Sequence, residues 1–167
     1  DEYDTAFFFY LYKLVHYHPR TLIINNLEFD HADIFADIDA IKAQFHHLIR
    51  TLPQRARIIL PAPSSDIEET LRMGCWFKIQ SVGLADDDWR FDWQDGETRS
   101  LEVASRNGIS TTGEMVLMGL HNAWNATMAV AAAAHAGVAV ETAVAALKSF
   151  KNVRRRLELR GQVNGVS

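Results

Sequence analysis

Hydrophobic positions along this 167-residue chain follow two rhythms in turn. Thr21-Leu22-Ile23-Ile24-Asn25 is a short β-branched apolar run after Pro19, the pattern of a parallel strand buried on both faces. From Ile34 onward, Ile38, Ile41, Phe45, Leu48, Ile49 and Leu52 recur at steps of three and four. That spacing predicts a helix, with Asp33 as its cap and Pro53 beyond its end. Arg57-Ile58-Ile59-Leu60 reads as a second buried strand, and Ser65 to Met73 as a short helix with acidic residues in its first turn. The alternation β-α-β-α predicts an α/β fold, a mostly parallel sheet flanked by helices.

The texture then changes. Trp76 to Val82, Trp89 to Trp93, Leu101 to Ala104 and Glu114 to Met118 are short segments broken by Asp, Gly and Asn, which predicts a small antiparallel strand region at an edge or flap. Helical spacing resumes at His121 and runs to about His135, closed by Gly137. A second helix covers roughly Glu141 to Phe150, and the alanine content of both suits close packing on a sheet. Leu157, Leu159, Val163 and Val166 resume an extended pattern, as strands of a following domain would.

Composition narrows the functional classes. With 48% hydrophobic residues the chain can bury the core of one domain, and 17 Lys and Arg against 21 Asp and Glu leave a net charge of −4. No basic stretch is long enough to track a nucleic-acid backbone; Arg154-Arg155-Arg156 is the one cluster. Phe7 to Val15 is apolar but interrupted by Lys13 and far short of the roughly 20 residues that span a bilayer, so no membrane insertion is expected. Cys75 is the sole cysteine, which excludes an internal disulfide and favours a reducing, cytoplasmic setting. The opening Asp1-Glu2-Tyr3-Asp4 has no initiator Met and no signal-peptide layout, as in a piece of a longer polypeptide.

Two runs carry candidate chemistry. In Asn25-Asn26-Leu27-Glu28-Phe29-Asp30-His31-Ala32-Asp33, a carboxylate and an imidazole follow a parallel strand, where open α/β sheets bind ligands and where either group can coordinate a divalent ion. A helix-start cap and a surface histidine are the alternatives for the same pair. In Gly119-Leu120-His121-Asn122-Ala123-Trp124-Asn125-Ala126, Asn122 and Asn125 stand one helical turn apart beside His121. Their amides can match an adenine edge, and the helix N-terminus adds unpaired N–H groups; capping by Asn122 is the alternative. Trp124 reads as core. His46 and His47 fall mid-helix, point about 100° apart and read as helix-surface histidines. Arg154-Arg155-Arg156 offers either a planar fork for a phosphate or a solvated interdomain charge cluster.

The order Asp1-Glu2-Tyr3-Asp4, Asn26-Leu27-Glu28-Phe29-Asp30-His31, Gly119 to Ala126 and Arg155-Arg156-Leu157-Glu158 resembles the central domain of the Mur ligases. These are ATP-dependent amino-acid and peptide ligases of bacterial peptidoglycan synthesis. The wording of the Asp1 to Phe8, Asn25 to Phe35 and Arg155 to Gly161 stretches is similar to the branch that takes a preformed murein tripeptide in peptidoglycan recycling.

The resemblance implies ATP and Mg2+ as cofactors, and UDP-N-acetylmuramate and L-alanyl-γ-D-glutamyl-meso-diaminopimelate as substrates, joined through an acyl phosphate. It implies that His31 helps hold magnesium, that His121, Asn122 and Asn125 line the adenine pocket, and that Arg156 contacts the terminal phosphate. It also implies a central ATP-binding domain over residues 1–152, without the family's upstream Gly-rich phosphate loop, and the start of a C-terminal domain over 153–167. A piece of that extent is expected to be inactive alone. Other members carry a carbamylated Lys on the helix after the Asp-His pair, where this chain reads Gln44-Phe45-His46, so no such group is assigned. Phe9-Tyr10-Leu11-Tyr12 stands where the tripeptide branch carries charged residues. The alternatives are the branch that adds L-alanine, a nucleotide-binding module without ligase activity, and a metal-dependent hydrolase on Asp30, His31 and Asp33, which lacks a second ligand cluster.

Overall fold

The computed structural model describes residues 16–29, 35–62, 64–83, 86–96 and 98–151. Six strands form one sheet in the order β1 (Thr21–Ile23), β2 (Arg57–Pro61), β3 (Lys78–Gly83), β4 (Trp89–Gln94), β5 (Ser100–Ser105) and β6 (Ser110–Glu114). Helices α1 (Ile38–Arg50) and α2 (Ser65–Arg72) cover one face. Helices α3 (Leu120–His135) and α4 (Val140–Ala146) cover the other, and a 3-10 turn over Leu147–Ser149 follows α4.

The layering follows from β2. Ile58 and Leu60 belong to the cluster under α1 with Ile41, Ile49 and Ile67, whereas Ile59 belongs to the cluster under α3 with Val82, Leu101, Val103 and Met128. Adjacent side chains on a strand point to opposite faces, so a run of three branched apolar residues requires cover on both sides. Ile58 and Ile59 are fully buried. Burial of each such side chain is worth about 1.5–3 kcal/mol.

Two of the strand expectations need correction. Trp76 to Val82 and Trp89 to Trp93 were expected to be antiparallel; instead β3 pairs parallel with β2, from Arg57 opposite Lys78 to Pro61 opposite Val82, and β4 pairs parallel with β3. The β3–β4 overlap is only Val82 with Trp89 and Gly83 with Arg90. A chain that continues past its neighbour's end need not travel back a strand length, so a short link suffices where a full parallel pair needs a crossover. Antiparallel pairing begins at β4–β5 and continues at β5–β6. The last predicted strand, Glu114 to Met118, is displaced: β6 ends at Glu114.

The first strand also departs from expectation. β1 ends at Ile23, not Asn25, and Ile23 is 39% exposed, because β1 has a strand neighbour on one edge alone among the described residues. Ile24 is buried and continues the parallel pattern by donating to the Ile59 carbonyl at 3.0 Å.

Helix α1 starts later than the Asp33 cap implied. Asp37 is its N-cap, with Oδ1 accepting from Ala40 N–H at 2.8 Å, while Asp33 and Ile34 lie outside the described residues. Buried Lys42 ties α1 to α2, its Nζ lying 2.6 Å from Glu69 and 2.9 Å from Asp66, and these carboxylates hold its pKa well above the usual lysine range. His46 is not a plain surface histidine. It is half-buried, its Nδ1 has no hydrogen-bond partner, and its ring lies against Gly74, whose added Cβ would stand 3.3 Å from Cε1. His47 is exposed as expected.

Candidate nucleotide-binding site

The strand β1 and helix α3 run in opposite directions and are tied at both ends. Near the start of β1, Thr21 Oγ1 lies 2.8 Å from His135 Nδ1; past its end, Asn25 Nδ2 donates to Asn125 Oδ1 at 2.9 Å. Ten helical residues between Asn125 and His135 span about 15 Å and four extended residues from Thr21 to Asn25 about 13 Å, so both ties close without distortion. The two sequence runs singled out for their chemistry therefore meet through Asn25 and Asn125.

The opening of α3 is built on Gly119. Its φ of +89° is a conformation that side-chain-bearing residues rarely adopt, and a Cβ there would stand 3.1 Å from the His121 ring. The imidazole thus lies against the bare glycine at the helix N-cap, exposed to solvent. Asn122 does not cap the helix. Its Nδ2 donates to the Met118 carbonyl at 2.6 Å, which pins the preceding loop to the first turn, and Gly119 holds the cap position without a side-chain bond.

These bonds decide what the two amides still offer. With its Oδ1 taken by Asn25, Asn125 has Nδ2 left to donate; with its Nδ2 taken by Met118, Asn122 has Oδ1 left to accept. A donor and an acceptor one turn apart complement an adenine edge, which presents the N6 amine beside the N7 acceptor. In the preceding loop and the first turn, Val116, Met118 and Leu120 are 51%, 41% and 51% exposed, apolar side chains of the kind that suit the face of a purine. Trp124 takes no part: it is half-buried and meets Phe91 edge-on, ring centroids 5.1 Å apart, as its core assignment required.

Of the residues singled out from the sequence, His121, Asn122 and Asn125 fall together on the first turns of α3. His31, the magnesium candidate, and Arg156, the phosphate candidate, lie outside the described residues, as do Asp30 and the arginine cluster. Among the described residues no three His, Cys, Asp or Glu side chains are gathered as a metal cage. At this end of β1 the carboxylate is Glu28, and it accepts from Asn26 Nδ2 at 3.1 Å. The contribution of Asn25 was missed. An Asn closing a strand looks like a turn former, and only the register of β1 against α3 shows what its amide meets.

The chain spans a little over a third of the length of the curated relatives it matches. It is 50% identical, over its whole length and 36% of the relative, to the UDP-N-acetylmuramate–L-alanyl-γ-D-glutamyl-meso-2,6-diaminoheptandioate ligase of Escherichia coli. It is 47% identical, over its whole length and 37% of the relative, to the ligase of that same name in Haemophilus influenzae. A crystal structure of UDP-N-acetylmuramate:L-alanyl-γ-D-glutamyl-meso-diaminopimelate ligase from Neisseria meningitides superposes with a TM-score of 0.83 at 44% identity, covering 93% of this chain and 47% of that one. Residues 10–133 match the Mur ligase middle domain. With a mixed sheet between two helical layers and a helix N-terminus facing the end of its first strand, the chain belongs to the Mur ligase family, as part of the middle domain.

Proposed function

We propose that this chain is the nucleotide-binding part of an ATP-dependent ligase that joins UDP-N-acetylmuramate to L-alanyl-γ-D-glutamyl-meso-diaminopimelate in peptidoglycan recycling in the cytoplasm. The observation that carries the reading is the Asn25–Asn125 hydrogen bond, which fixes the donor of Asn125 beside the acceptor of Asn122 at the α3 N-terminus. The identity of 47–50% with ligases of that name supports the substrate assignment.

In this reading Asn122 and Asn125 hold the adenine edge while His121 packs beside the ring, so that the triphosphate is directed toward the end of β1. The γ-phosphoryl group passes to the muramyl carboxylate and ADP leaves. The amine of the tripeptide then attacks the acyl phosphate, and inorganic phosphate departs as the amide bond forms. His31 and Arg156 are proposed to meet the metal and the terminal phosphate; bound Mg2+ would offset phosphate charge during transfer. Residues 1–152 belong in this account to the central domain and 153–167 to the start of the next. The fragment alone is proposed to be inactive, because its 167 residues contain no Gly-rich Lys-Thr phosphate loop.

The test is ADP formation by the full-length protein. The reading requires ADP release that depends on both UDP-N-acetylmuramate and the tripeptide; equal release with either one omitted would refute it.

A further inference from the structure

A second cleft, of about 360 Å³, lies between the start of β2 and the last turns of α3 on one side and the start of β4 with the end of β5 on the other. Its lining includes Arg57, Asp88, Trp89, Ser105, Arg106 and His135. About 15 Å of helix separate His135 from Asn125, so this cleft is distinct from the adenine site.

The polar groups of this cleft are unsatisfied in a pattern found nowhere else among the described residues. Four buried side-chain nitrogen or oxygen atoms among the described residues lack a hydrogen-bond partner; one is His46 Nδ1, and the other three, Arg57 Nε, Trp89 Nε1 and Ser105 Oγ, belong to cleft residues. Trp89 is 6% and Ser105 5% exposed. Leaving a buried donor unpaired is costly, so three such groups on residues around one cleft call for an acceptor within it. Guanidinium and indole N–H groups donate only, and the serine hydroxyl can donate. The complementary group therefore carries several acceptor oxygens.

The charges agree. The carboxylate of Asp88 is already engaged: Oδ1 lies 3.2 Å from Arg106 and Oδ2 accepts from Ser81 N–H at 3.1 Å. A smaller depression that shares His135 adds Arg20 and Arg55. The cleft itself thus holds two guanidinium groups, Arg57 and Arg106, against the single Asp88 carboxylate that Arg106 already pairs, and the remaining positive charge outweighs the roughly half-unit negative pole at the end of α3.

We propose that this cleft is a second ligand site that binds a small oxyanion, a phosphate or carboxylate group, through Arg57, Trp89 and Ser105. The inference does not depend on the ligase reading, and its test measures binding, so the two can fail separately.

The experiment titrates the full-length protein with inorganic phosphate and, separately, with malonate at constant ionic strength. It follows the Trp89 indole N–H resonance, assigned through Trp89→Phe. The proposal requires a saturable shift with at least one anion; saturation by phosphate alone assigns a phosphate ligand, and by malonate alone a carboxylate. Arg57→Gln should weaken the binding by about tenfold or more, the scale of a lost charge-assisted hydrogen bond. Ser105→Ala should weaken it less and provides the test if Arg57→Gln does not fold. Asn125→Ala should leave it unchanged. No saturable shift with either anion, equal binding by both cleft variants and the parent, or a crystal structure of the full-length protein in which another part of the chain accepts from these three donors would overturn the proposal.

Discussion

At the scale of single residues, Asn125 depends on Asn25 for its orientation. Asn25→Ala in the full-length protein should raise the KM for ATP by roughly threefold to tenfold with a smaller change in kcat, the worth of one net hydrogen bond, and Asn125→Ala should raise it further. Steady-state kinetics at varied ATP would check both; an unchanged KM in Asn25→Ala would remove that residue from the site. His46 and His135 make a second residue-scale prediction. Burial, reinforced by Arg50 and His47 for the first and by Arg57 for the second, lowers both below the ordinary 6.5. Folded, they stay neutral where the unfolded chain already takes up protons. Their contribution to stability is therefore full above pH 6.5 and is lost as pH falls below it. NMR titration of the two rings should give midpoints under 6.5, and a midpoint at or above that value would contradict the packing described. The residues proposed to meet adenine stood out in the sequence because amides at one-turn spacing on a helix start have limited uses. The role of Asn25 was not, because it depends on a partner a hundred positions away.

At the scale of elements, periodicity found the helices and their buried faces, since Ile41, Leu48 and Ile49 of α1 are all in the core. It did not find the start of α1, where Asp33 and Asp37 are equally good caps on composition and only the hydrogen bond from Ala40 distinguishes Asp37. Strand direction was also hidden. Short segments broken by Asp and Gly look the same whether the chain turns back or steps sideways past its neighbour's end, as it does between β3 and β4. Close packing of α4 on β6 depends on Gly113: a Cβ there would stand 2.6 Å from Val144 Cγ1 and 3.2 Å from the Val144 carbonyl oxygen. Gly113→Ala should destabilise the fold by about 1–3 kcal/mol through overpacking. Thermal unfolding would read this directly, and a neutral Gly113→Ala would contradict the helix–sheet contact. Lys42→Ala should also lower stability by releasing α2 from α1, a loss measured in the same way.

At the scale of the whole molecule, two apolar clusters on opposite faces of one sheet place the residues proposed to meet adenine and the arginine-lined cleft at opposite ends of α3. The fold class was legible because β-α-β-α alternation with doubly buried strands has few solutions. The arginine-lined cleft was not, because its residues come from four strands and two helices and share no local pattern. The isolated 167-residue chain should bind ATP weakly or not at all, since the proposed adenine contacts come without a Gly-rich phosphate cradle. Calorimetric titration with ATP and magnesium tests this, and micromolar affinity would refute that division of binding energy.

The central claim, that the domain serves a tripeptide ligase, is tested most directly by competition. The full-length protein receives ATP, Mg2+ and UDP-N-acetylmuramate together with equal amounts of L-alanine and L-alanyl-γ-D-glutamyl-meso-diaminopimelate, and the products are separated by mass. The account predicts that the tripeptide adduct dominates; a product dominated by UDP-N-acetylmuramyl-L-alanine would contradict it.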